Sequence, residues 1–155
     1  MVSAKQIASY IEKKYKQVMG ERIDEMKLHK LLYFAQRESY IRNGRPLFKG
    51  SFVAGVYGPM ILSIRGIYKR NGLKEQPKNE FVVENKEVLD YLFEHYAPMK
   101  SWSLSSISHG ELSWRNARRG LNRFEDKYPE ISDEDIRKDA QRVKSRRNFL
   151  RILGK

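Results

Sequence analysis

The chain of 155 residues contains no cysteine. This excludes disulfide frameworks, thiolate metal sites and cysteine nucleophiles, and it fits a reducing compartment. No apolar run approaches the roughly 20 residues that span a bilayer. The start, Met1-Val2-Ser3-Ala4-Lys5-Gln6, lacks a basic segment leading into an apolar stretch of signal-peptide length. A soluble cytoplasmic protein with no membrane partner is therefore expected. Acidic residues are also scarce: 19 Asp and Glu stand against 31 Lys and Arg, a formal charge of +12. Such a surface attracts polyanions, but charge alone does not choose between nucleic acid and an acidic protein.

The constellations that carry common chemistries are missing as well. His29, His95 and His109 fall on different predicted elements, so no pair has the i, i+4 spacing of a helical metal site. His109-Gly110-Glu111 imitates the His-x-Glu of zinc deaminases without the cysteine ligands that chemistry needs. Ser103, Ser105, Ser106 and Ser108 lie near His109, yet no Gly-x-Ser-x-Gly elbow presents a nucleophile. The glycines stand singly at turns, without a phosphate-binding loop. Glu130, Asp133, Glu134 and Asp135 gather at a helix start, where the helix dipole accounts for them. No catalytic residue, metal or cofactor is expected, and the protein is expected not to be an enzyme.

What remains is strong helical patterning, and it predicts a mainly α fold: one compact domain over residues 1–155, with a small β element between the second and third helices. Ser3 and Gln6 form a capping box for a first helix with Ile7, Ile11, Tyr15 and Val18 on one stripe, ending at Gly20. Asp24 caps a second helix with Leu28, Leu31, Leu32, Ala35 and Ser39 inward, ending at Asn43-Gly44. Phe48, Phe52, Val53, Val56 and Tyr57 predict one or two short strands or a hairpin. Gly58-Pro59 reads as a corner with Pro59 opening a third helix. Lys74 to Glu84 reads as a loop with a short strand at Phe81-Val82-Val83. Asn85 is read as the cap of the next helix, and Ser103 and Ser113 as caps of two short ones. From Ser132 a final basic helix occupies residues 132–155. Truncation after Asp135 is expected to leave the body folded.

Four motifs recur in order along the chain: Lys27-Leu28-His29-Lys30-Leu31-Leu32-Tyr33-Phe34-Ala35-Gln36, then Gly44-Arg45-Pro46-Leu47-Phe48, then Tyr57-Gly58-Pro59, then His109 with Trp114, Ala117 and Arg118. Together they resemble the Panacea, or SocA-like, antitoxin domain. Ala54-Gly55-Val56 departs from the family pattern, in which an aromatic often precedes Tyr-Gly-Pro. The resemblance implies a prokaryotic or phage antitoxin that binds a cognate toxin protein. It also implies an adaptor role as one form of neutralisation, since one member resembles a protein that hands its toxin to a AAA+ protease.

Two surfaces are candidates for partner binding. Tyr33, Gln36, Tyr57, Trp114 and Arg118 are the candidate toxin-facing residues, weighed against a purely structural role for each. Arg142, Lys144, Arg146, Arg147 and Arg151 on the final helix are the candidate polyanion-binding set. Each phosphate met by one of them would add about −0.9 to the salt slope on duplex DNA. A nucleic-acid-binding regulator is the alternative function.

Overall fold

The computed structural model describes residues 1–154. Among them are eight α-helices and one two-stranded antiparallel sheet, a mainly α architecture with minor β content. Helix α1 runs Ala4–Met19, opened by the reciprocal Ser3 and Gln6 capping box and closed by Gly20 in the left-handed region. Helix α2 runs Glu25–Asn43, with Asp24 accepting from the Lys27 amide and Gly44 closing it. Both ends match the sequence reading, because caps are local chemistry.

The interior of α2 does not match an amphipathic stripe. Every residue from Lys27 to Ile41 is buried, since α1, α5, α6, α8 and the second strand all pack on this one helix. Helix α2 is thus the axis of the domain. Its polar residues must therefore find partners inside, because an unpaired buried polar group costs about 1–3 kcal/mol.

Strands β1 (Val53–Gly55) and β2 (Gly58–Met60) form a hairpin with Ala54 opposite Pro59. Pro59 therefore lies in a strand, and α3 begins later, at Leu62–Lys69. Pro59 is tolerated there because the outer edge of β2 is covered by side chains of α2 rather than by another strand. Lys30 Nζ donates to the Pro59 carbonyl at 3.2 Å, and the Ile61 amide donates to His29 Nδ1 at 3.2 Å.

The segment expected to be a loop with a strand is helix α4, Asn79–Glu84. An isolated strand would have had no ladder partner, whereas one helical turn lets both Phe81 and Val82 pack against the core. Helix α5 (Lys86–Tyr91) continues into a π-helical turn, Leu92–Tyr96. Helices α6 (Ser101–His109) and α7 (Leu112–Ala117) follow, capped at Lys100 and Glu111 rather than at Ser103 and Ser113. Asn85 likewise makes no capping bond.

The final helix, α8, spans Asp133–Gly154. Its first half is no appendage: Ile136, Asp139 and Ala140 are buried against the body, and α8 packs along α2 and α7. A cut after Asp135 would remove this buried face and the carboxylate described below, contacts that the sequence reading did not assign to the body.

Candidate functional site

The buried polar groups of α2 converge on a network with the start of α7 and the first half of α8. The Tyr33 hydroxyl lies 3.1 Å from Glu111 Oε1, 2.8 Å from Ser113 Oγ and 3.2 Å from Asp139 Oδ2. Asp139 also accepts from the Leu112 and Ser113 amides at 2.8 and 2.9 Å, capping α7 from a different helix. Arg37 donates to Glu111 Oε1 at 2.6 Å, and Arg142 donates to Glu111 Oε2 at 2.7 Å. Burial, reinforced by the Glu111 and Asp139 charges, pushes the Tyr33 phenol well above its ordinary range. The hydroxyl therefore stays a neutral donor. Backbone amides hold Asp139 and two guanidiniums hold Glu111, with the single Tyr33 proton shared among its neighbours, and the network clips three helices together.

Gln36 performs a similar task. Its Oε1 accepts from the Leu47 and Phe48 amides at 2.8 and 3.2 Å, while its Nε2 donates to the Phe48 carbonyl at 3.0 Å. It fastens the Gly44 to Phe48 turn onto α2. Tyr33 and Gln36 are thus inside the domain, and neither is offered to a partner in this conformation.

Trp114 and Arg118 hold the hairpin from below. Trp114 Nε1 donates to the Gly55 carbonyl at 2.8 Å while its ring stacks on His109 at 4.3 Å. Arg118 is buried and donates to the carbonyls of Ala54, Lys127 and Glu125, each at 2.8 Å. One guanidinium therefore fixes both the hairpin and the loop carrying Phe124 and Tyr128. The Ser105 hydroxyl adds a 2.6 Å bond to the Tyr57 carbonyl. Gly58 completes the corner at φ +120°, and a Cβ there would land on Ser108 Oγ and Lys30 Cε.

This frame carries Tyr57, the one candidate of the five that is exposed to solvent. Tyr57 meets Trp102 edge to face at 5.4 Å. It also borders a groove of about 470 Å³, whose walls include Met60, Phe124 and Tyr128 and whose floor holds His29 and Lys30. Trp102 and Phe124 are 64 % and 66 % exposed, so apolar area normally withdrawn from water stands open around the groove. Burial lowers Lys30 to about 7 and His29 to about 4. His29 is the neutral tautomer, with Nε2–H donating to Glu25 at 3.1 Å. Lys30 is therefore about half protonated at neutral pH, and with Glu25, Arg65 and Asp126 also lining the groove, charged groups of both signs stand beside its aromatic rim. Trp102, Phe124 and Tyr128 escaped sequence reasoning, because the Ser105 bond from α6 and the Arg118 bonds to the 125–127 loop, not spacing in the chain, bring them near Tyr57.

The basic helix divides into two groups. Arg142 is committed to Glu111, and Arg147 makes a two-pronged pair with Glu38 at 2.8 and 3.0 Å. Lys144, Arg146 and Arg151 are exposed. These three of the five candidates are exposed without an internal partner, while Arg142 is half exposed beside Glu111.

Fold and frame define a small helical domain with a two-stranded hairpin beside an aromatic-rimmed groove. The chain belongs to the family described as antitoxin SocA-like, Panacea domain, whose model matches residues 28–115. That span runs from α2 to Arg115 in α7, so the hairpin frame up to Trp114 lies within it, whereas Arg118 and α8 lie outside. No curated protein and no solved structure matches the chain. No helix of the described residues is long and apolar enough to cross a membrane.

Proposed function

We propose that this protein neutralises a cognate toxin, encoded beside it, by direct contact through the groove bordered by Tyr57. One observation carries the reading: exposed Tyr57 and Phe124 line a single groove, with exposed Trp102 packed edge to face on Tyr57, on a frame fixed by Arg118, Trp114 and Ser105. Aromatic side chains on a rigid support are the residue types that dominate binding energy at protein interfaces. The family membership supplies the toxin as the partner class. The groove covers the toxin's working face, and the +12 surface speeds capture of an acidic toxin.

The nucleic-acid reading is weaker than the sequence suggested. With Arg142 and Arg147 engaged internally, the three remaining candidates would give a salt slope of about −3 rather than about −4.5. Duplex DNA titrated at two salt concentrations checks this, and a slope near −4.5 would restore the alternative.

The antitoxin reading is tested by expressing each gene adjacent to this one, alone and together with this chain. One neighbour should arrest growth and be rescued by co-expression. A folded Tyr57→Ala/Phe124→Ala variant should fail to rescue. Harmless neighbours on both sides, or full rescue by that variant, would contradict the proposal.

A further inference from the structure

The last two turns of α8 make no contact that buries them. The final anchor to the body is Arg147, paired with Glu38 and lying 4.4 Å from the centre of the Tyr91 ring. From Asn148 to Gly154 every residue is exposed, a projection of about 10 Å at 1.5 Å per residue. Within it Phe149, Leu150, Ile152 and Leu153 are between 53 % and 77 % exposed. At helical spacing these four fall within about 160° of the circumference, on the side away from Arg147. Arg146 lies one turn earlier in line with this stripe, whereas Arg151 lies on the opposite face, the side of Arg147. Between Arg142 and Gly154 there is no acidic residue.

We infer that residues 146–153 are a docking helix whose apolar stripe enters a hydrophobic groove with an acidic rim on a partner protein. This is the helix-in-groove mode, read here as anchors at i, i+3 and i+4 from Phe149. A second copy of the chain is a poor occupant, because pairing two such stripes would bring both Arg146 side chains into a seam whose facing turns carry no acidic residue. A lipid surface fits less well. Interfacial helices lie flat along a long apolar face, whereas α8 is clamped to the body through Asp139 and Arg147 and frees only two turns. The site is separate from the Tyr57 groove and stands whether or not that groove meets a toxin.

The test titrates the full chain, wild type and Phe149→Ser/Leu153→Ser, against calcium-loaded calmodulin, an acidic protein with apolar grooves that serves as the chemical probe. Both substitutions are at exposed positions, and matching circular dichroism and melting curves show that the fold is kept. Wild type should bind, the variant should bind at least tenfold more weakly, and raising salt from 50 to 300 mM should weaken the wild-type complex. Tyr57→Ala should bind the probe as wild type does, which separates this result from the fate of the groove. No binding, equal binding by the variant, or a dimer in sedimentation that the variant abolishes would overturn the inference. So would preferential binding to phosphatidylserine vesicles over calmodulin.

Discussion

Replacing Asp139 by alanine is the sharpest probe of how α8 belongs to the domain. Asp139 is fully buried and accepts from two backbone amides at the start of α7, from Tyr33, and lies 3.6 Å from Arg142. In the alanine variant Tyr33 keeps Glu111 and Ser113, and Arg142 keeps Glu111, so the amides of Leu112 and Ser113 are the groups left without an acceptor. The buried Ser113 amide and the part-buried Leu112 amide, on the scale of about 1–3 kcal/mol for each buried donor, give about 3–4 kcal/mol. This is a large share of the roughly 5–15 kcal/mol that holds a domain folded. Followed by circular dichroism in urea at pH 7, with a slope near 2 kcal/mol/M, the midpoint should fall by about 2 M. Asp139→Asn keeps one acceptor oxygen and should cost about half as much. A loss below about 1 kcal/mol for Asp139→Ala would refute the reasoning. It would mean that water reaches those amides and that α8 only rests on the surface.

Three further outcomes follow from the same packing. Gly58→Ala should destabilise by at least about 2 kcal/mol in the same urea assay, since strain at a positive φ adds to a Cβ overlapping Lys30 and Ser108. His29 should make stability fall as pH drops from about 6.5 to 4. There the unfolded chain takes up a proton that the folded imidazole, lowered to about 4 by burial, refuses. The loss is about 3 kcal/mol, and His29→Gln should flatten that limb relative to wild type. Lys30, lowered to about 7, should make stability rise as pH climbs from about 7 toward 10, where only the unfolded chain keeps the proton. Lys30→Met should remove that rise.

The helix ends were legible because capping is written within a few residues: Ser3 with Gln6, Asp24, Gly20 and Gly44 each act on neighbours in the chain. The surroundings of α2 were not. Its inward stripe was readable, but a helix enclosed on all sides by α1, α5, α6, α8 and β2 needs tertiary contacts that no local period reveals. Lys27 shows the consequence. It has the composition of a solvated flank, yet its ammonium is buried and donates to Tyr15 and the Ala97 carbonyl, both at 3.1 Å. The motif residues Tyr33, Gln36, Trp114 and Arg118 are read from the sequence as partner-binding candidates, but their polar groups serve contacts 7 to 106 positions away in the chain. Tyr57 alone could be placed at a surface, and its neighbours Trp102, Phe124 and Tyr128 are united with it only by the fold.

The central claim is that the hairpin and its aromatic groove are the face that meets the toxin, and hydrogen exchange on the complex with the rescued neighbour's product tests it most directly. The account predicts slowed amide exchange at residues 55–60, near Trp102 and across 123–128, with Tyr57→Ala erasing that protection. Unchanged exchange in those segments, with protection confined to α1 or α3, would contradict it.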